Sequence, residues 1–263
     1  MKADLPSQSY TEDYYRLHQR RYLLNDAMSQ RIIVDVLSSL QPGPGESILD
    51  VGCGTGVISL ESYKRGALVT GIDYSDAAVK MARELALTVV GRNEIEYRCM
   101  GIQDIPTLSR RFDKISCADF IEHISRELFE SFLKQVRQVM KPGGRMIIYT
   151  PNGIIPDPTL GQKLIRLAGL LPLFRHDDIA AIEKTTLAWR WYPLGKSESV
   201  SDQEFEYLHV DVKPAAYLMG ALKKYGFRVI RIKITRGSSR LQKLPYPFNI
   251  LWGGHICVTA QKI

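Results

Sequence analysis

The sequence predicts an α/β protein: a mainly parallel β-sheet with helices on both faces. Three observations predict it. Short β-rich runs alternate with helix-length amphipathic segments between residues 28 and 150, and that alternation builds parallel sheets through helical crossovers. The first clear strand runs directly into a glycine-rich turn, Gly52-Cys53-Gly54-Thr55-Gly56. The last two β-rich runs, Phe227 to Ile234 and His255 to Lys262, have no helix between them. They should pair antiparallel at one edge of the sheet.

The elements follow in order. Residues 1–27 are polar and aromatic, with Tyr10, Tyr14, Tyr15 and Tyr22; they read either as a helical arm over the site or as a loose N-terminus. From Met28 to Leu40 apolar residues recur at helical spacing, and Pro42 and Gly43 end the run. Ser47 to Val51 is the first strand. The glycine loop at 52–56 opens a helix to about Arg65, and a second strand runs from Ala67 to Ile72, ending at Asp73. Ser75 or Asp76 caps the next helix, which reaches about Val90. Glu94 to Cys99 and Asp113 to Ala118 are strands three and four. Ser125 caps a helix whose apolar face is Leu128, Phe129, Phe132, Leu133, Val136 and Met140. Lys141-Pro142-Gly143-Gly144 stops it, and Arg145 to Thr150 is the fifth strand. Pro214 fits the first turn of a helix that Gly226 ends.

Residues 151–213 break this rhythm. So long a stretch inside a domain points to a lid or an inserted subdomain. The expected organisation is an N-terminal arm or cap over 1–40, a core over 41–151 and 213–263, and an inserted lid over 152–212.

Composition excludes several classes. Of 263 residues, 45% are hydrophobic and 24% charged, a balance that fits an ordinary globular protein. The longest apolar stretch, Leu164 to Phe174, is broken by Arg166 and Pro172 and falls short of the ~20 residues that cross a bilayer. The N-terminus carries no apolar signal region, so a cytoplasmic location is expected. Cys53, Cys99, Cys117 and Cys257 form no CxxC pair and read as reduced thiols; no ligand cluster asks for a metal. The net charge of +7 would suit nucleic acid, but the basic residues are scattered, without a Lys/Arg run or an RNA-binding motif.

The glycine loop carries the strongest chemical signal. A strand delivers Asp50, glycines stand at 52, 54 and 56, and a helix begins. Glycine allows a sharp turn and close approach of a ligand to the main chain, and the helix start offers free N–H groups. Asp73 ends the next strand, where a carboxylate can accept from ribose hydroxyls. The spacing is GxGxG rather than the dinucleotide GxGxxG, and Asp50 beside the loop would repel a pyrophosphate while suiting a cationic amino acid.

The segment 48–56 resembles motif I of the class I S-adenosylmethionine (SAM)-dependent methyltransferases. GIDYS at 71–75, Gln103-Asp104, CADFIEH at 117–123 and KPGG at 141–144 match in order. The resemblance covers about residues 45–151 and, less sharply, 213–262, and FIEH is similar to the ubiquinone-biosynthesis O-methyltransferase-like small-molecule subgroup. It implies a Rossmann-like, seven-stranded sheet with an antiparallel last strand, and SAM as cofactor. It also implies a cofactor site in which Gly52, Cys53, Gly54 and Gly56 line the methionine part, with Asp50 able to orient it directly or through water. Asp73 would hold the ribose, Tyr74 flank the adenine, and Gln103, Asp104 and Ile105 close on the ring. Ala118 would border the site from strand four. His18, Arg21 and Tyr22 could reach over the cofactor, with Arg21 pairing the SAM carboxylate, or could lie on an exposed helix face.

For catalysis, His123 lies just past strand four, where ligands bind in open α/β sheets, and its imidazole can act as a base near neutral pH. Glu122 could orient it or point into the helix cap. His209 in FEYLHVDVKP is a second candidate, with capping or packing as its alternative. Trp189, Trp191, Tyr192 and Phe174 in the lid suit an apolar or ring-bearing small-molecule acceptor. Basic residues around Leu164, Leu167, Leu170 and Leu171 could also touch a membrane surface. The first reading is methyl transfer to a hydroxyl oxygen of a small molecule. Transfer to nitrogen or carbon, tRNA or rRNA methylation, SAM binding without catalysis, and a dehydrogenase stay open as alternatives.

Overall fold

Ser47–Val51 (β1) is an inner strand of the sheet, and its residues explain its place. Ile48, Leu49 and Val51 are at most 1% exposed, and strands covered on both faces read as continuous apolar runs. The computed structural model describes residues 12–91, 94–152, 211–237 and 253–263. The other strands are β2 (Leu68–Asp73), β3 (Glu96–Cys99), β4 (Phe112–Ala118), β5 (Met140–Pro151), β6 (Phe227–Gly237) and β7 (Gly253–Lys262). They form one seven-stranded sheet in the order β3-β2-β1-β4-β5-β7-β6. β1 to β5 run parallel to one another. β7 is antiparallel to both β5 and β6. The expected antiparallel tail pair is therefore present, with the last strand slotted between β5 and β6 and β6 forming the edge.

Six helices accompany the sheet among the described residues: α1 (Glu12–Leu23), α2 (Ala27–Leu40), α3 (Val57–Tyr63), α4 (Asp76–Val90), α5 (Arg126–Val139) and α6 (Ala215–Lys224). They cover both faces. Phe129 and Phe132 of α5 and Leu218 and Leu222 of α6 fill one layer. Val36 and Leu40 of α2, Leu60 of α3 and Val79 and Leu85 of α4 fill the other. β5 feeds the two layers alternately, with Met146 and Ile148 in the first and Ile147 and Tyr149 in the second, the two-residue period of a strand.

The helix ends follow the capping residues. Ser75 Oγ accepts from the Ala78 N–H at 3.3 Å, and Gly91, at φ 72°, closes α4. Ser125 Oγ accepts from the Leu128 N–H at 3.3 Å to start α5. One boundary differs from expectation. The pairing of β5 begins at Met140 opposite Phe112, then resumes at Arg145 opposite Lys114. The KPGG segment is thus a bulge within the strand, with Gly143 at φ 72°, as well as the stop of α5. Of the expected insert, only Asn152 and residues 211–212 are described. The candidate His209, the aromatic residues 174–192 and the Leu-rich stretch 164–171 lie outside the described residues. No described helix is long and apolar enough to cross a membrane.

Candidate functional site

The carboxyl ends of β1, β2 and β4 open onto a cavity of about 510 Å³, the crevice where open α/β sheets hold ligands. Its floor is the glycine loop. The Gly52 and Cys53 N–H groups both donate to Ile72 O, at 2.9 and 3.0 Å, which folds the loop across the end of β2. Gly52, Gly54 and Gly56 all have left-handed backbones, at φ 68°, 51° and 77°. Their surroundings differ. A Cβ on Gly52 would sit 2.6 Å from the Phe120 ring, and one on Gly56 2.5 Å from the Tyr97 hydroxyl. A Cβ on Gly54 would meet nothing within 4 Å. Protein packing therefore demands Gly52 and Gly56, whereas Gly54 borders open cavity and leaves its backbone accessible to a ligand.

Asp73 stands at the end of β2 on the cavity wall. Its Oδ2 accepts from the Gly54 N–H at 3.0 Å and its Oδ1 from the Ser75 N–H at 2.9 Å. The carboxylate thus fixes both the glycine loop and the start of α4, and each oxygen keeps lone-pair capacity for a further donor. Burial pushes its pKa up, against backbone donors and the His123 charge that pull it down. Asp50 sits behind the loop, 3% exposed, with Ser59 Oγ donating to its Oδ2 at 2.7 Å. Burial raises its carboxyl to about 6.

The roof comes from α1. Tyr14, Tyr15 and His18 face the cavity. Tyr15 packs on Ala78 and Met81 of α4. The Tyr14 ring lies 5.1 Å from Tyr15 and 4.5 Å from His18, centroid to centroid. Burial, with the Asp119, Glu122 and Asp73 carboxylates adding to it, holds the Tyr14 phenol well above its ordinary value, so Tyr14 stays a neutral donor. Burial and then Asp73 do the same for Tyr15.

The remaining wall follows β4. Asp119 takes a left-handed backbone, φ 47°, while its N–H donates to Tyr149 O at 2.9 Å. Strain of this kind persists where the surroundings over-determine it, and it clusters at functional sites. Here it turns the chain so that Phe120 stacks edge-on to Phe132 at 5.8 Å and the 3₁₀ turn Ile121–His123 presents His123 to the cavity. Glu122 points the other way. It is fully buried, and Thr150 Oγ1 donates to its Oε2 at 2.9 Å. Ile124 and Leu128 from one layer, and Ile32 and Ile33 of α2 from the other, add apolar lining to the cavity.

Among the expected site residues, Gly52, Cys53, Gly54, Asp73, Tyr74, Gln103, Ala118 and His123 share the cavity wall. Asp50 and Gly56 support the loop from behind. Asp104 accepts from the Gly101 N–H at 3.2 Å, and Ile105 is fully buried in the core. The short 3₁₀ helix Ile102–Thr107 turns Met100, Ile102 and Gln103 to the cavity instead. Arg21 lies on α1, close enough to Tyr14 for its charge to be felt there, and outside the cavity lining. His18 lines the cavity, whereas Tyr22 donates to Glu61 at 2.8 Å and accepts from Lys64 at 3.0 Å. Tyr97, whose hydroxyl donates to Gly56 O at 3.3 Å, had no sequence signal beyond a strand position. Asp119 stands inside the CADFIEH segment, but nothing in the sequence marks its left-handed backbone.

Residues 48–144 match the family model described as a methyltransferase domain. The ubiquinone biosynthesis O-methyltransferase of Idiomarina loihiensis is 35% identical over 118 residues, 44% of this chain and 47% of that protein. The matched stretch thus spans about half the length of that curated relative. Among solved structures, a magnesium protoporphyrin IX methyltransferase from Synechocystis with bound SAM superposes over 100% of both chains, with a TM-score of 0.57 and 15% identity. The cyclase SpnF gives a TM-score of 0.57 and 16% identity over 89% of this chain and 81% of that one. These solved structures share the fold of this chain, and the expected Rossmann-like sheet with an antiparallel last strand is present.

Proposed function

We propose that the protein transfers a methyl group from SAM to a hydroxyl oxygen of an apolar or ring-bearing small molecule. The observation that carries this reading is the mixed lining of one cavity. Gly52 to Gly54, Asp73, Tyr74, Met100, Ile102 and Gln103 bring exposed main chain, a carboxylate and apolar contacts to it. That set suits an amino acid, a ribose and an adenine. Phe120, Ile124, Leu128, Ile32 and Ile33 add apolar wall for an acceptor, and His18, Asp119 and His123 are further titratable groups in the lining. When bound, SAM supplies an activated methyl group on a sulfonium.

The chain's own residues would do the rest. Asp73 orients the cofactor through the ribose. Tyr14, Tyr15 and Phe120 exclude water and hold the acceptor beside the donor. His123 takes the acceptor's hydroxyl proton at an imidazole nitrogen, and the nearby Asp73 carboxylate favours the charged imidazole that results. The test is methyl transfer from labelled SAM to a panel of apolar phenols and catechols. His123→Ala should slow transfer by roughly 10²–10⁴-fold while leaving the SAM affinity within a few fold. An unchanged rate would remove His123 from the chemistry.

The same fold in a protein named as a cyclase favours a second reading, SAM binding without methyl transfer. Formation of S-adenosylhomocysteine together with a methylated product separates the two.

A further inference from the structure

Lys213 is a lysine with a fully buried side chain, a rare state for an ammonium without dedicated partners. Its Nζ donates to Ile121 O and Ile124 O, both at 2.7 Å, and to Asp211 O at 3.0 Å. These carbonyls use the three hydrogens of the ammonium. Two of them bracket the 3₁₀ turn that carries His123. The ammonium also lies 5.7 Å from the centre of the Phe129 ring, and the buried Glu122 carboxylate is one of its electrostatic neighbours. The contact is reinforced on both sides. The Asp211 N–H donates to Glu122 O at 3.0 Å, and Arg126 Nε donates to Asp211 Oδ2 at 3.2 Å. Residues 211–213 are thereby fastened to residues 121–126 along their whole length.

We infer that Lys213 is a positioning residue: its ammonium clamps the 121–124 turn and so sets where Phe120 and His123 stand in the cavity. A packing role alone would call for an apolar side chain in such a place. Three convergent carbonyls call for a cation with three hydrogens, and the planar guanidinium of arginine has a different fork. The clamp acts directly on the turn that follows β4, whereas Asp73 ends β2. The acceptor-facing role of Phe120 and His123 rests on the function proposed above.

Hydrogen exchange of the full chain tests the clamp without any acceptor. In Lys213→Met, amides of residues 119–125 should exchange roughly tenfold faster, while amides of residues 71–76 keep their wild-type rates. The His123 ring resonances, assigned through His123→Asn, should shift or broaden in parallel. Lys213→Arg should show the same pattern at smaller amplitude; it takes the place of Lys213→Met should that variant not fold. Unchanged exchange at 119–125, or an equal rise at every site, would overturn the inference. Titration of the wild-type protein with SAM reports separately on the function proposed, so failure of one is distinguishable from failure of the other.

Discussion

Asp73 serves the fold and the site with the same two oxygens. Each accepts a backbone N–H, from Gly54 or Ser75, and each faces the cavity end of β2. Asp73→Ala would therefore remove the proposed ribose partner and leave one buried and one part-buried backbone donor unmatched. The expected outcome is a loss of SAM affinity of about 100-fold by calorimetry, together with a stability loss of about 1–3 kcal/mol in urea titration. Unchanged affinity would refute the ribose assignment. Asp50 gives a prediction in pH. Its carboxyl titrates at about 6 in the fold against an ordinary value of 3.8, because burial disfavours the anion. Between those values the folded state holds the extra proton, so the contribution of Asp50 to stability falls as pH rises through 4 to 6. The stability difference between Asp50→Asn and wild type should accordingly grow between pH 4 and pH 7, by roughly 3 kcal/mol. Parallel stability curves would contradict it. Both carboxylates were legible in the sequence, since Asp73 ends a strand before a turn and Asp50 stands one residue before a strand end that meets the glycine loop. The role of Lys213 was not, because two of its three carbonyl partners lie 89 and 92 positions away in the chain, and no local pattern encodes them.

At the scale of elements, strand–loop–helix units near the glycine loop follow from local chemistry: apolar strands, left-handed glycines and serine caps. The elements that misled are short. The 3₁₀ helix Ile102–Thr107 rotates the wall so that Met100 and Ile102 face the cavity while Ile105 joins the core. Periodicity over six residues is too weak to set that rotation. For α1 the sequence left arm and loose end equally open, and docking is decided by Tyr15, buried against Ala78 and Met81. Tyr15→Ala should loosen this contact, at a cost on the order of 3 kcal/mol for a fully packed ring, limited by the free energy of docking α1 alone. SAM affinity should fall severalfold with little change in the midpoint of global unfolding. If the affinity holds and the midpoint falls instead, α1 is part of the folding core rather than a roof.

For the molecule as a whole, the fold fixes where a ligand sits and leaves the chemistry to the site; a methyltransferase and a cyclase share it at equal TM-scores. The overall charge of +7 contrasts with a cavity whose lining carries Asp73 and Asp119. A sulfonium cofactor with an ammonium group suits that local field better than a dinucleotide pyrophosphate does. The most direct measurement is calorimetric titration of the protein with SAM and, separately, with NADH. The account predicts binding of SAM at micromolar concentration, no heat from NADH, and a thermal midpoint that rises with SAM as mass action requires. Binding of NADH, or no binding of SAM, would contradict it.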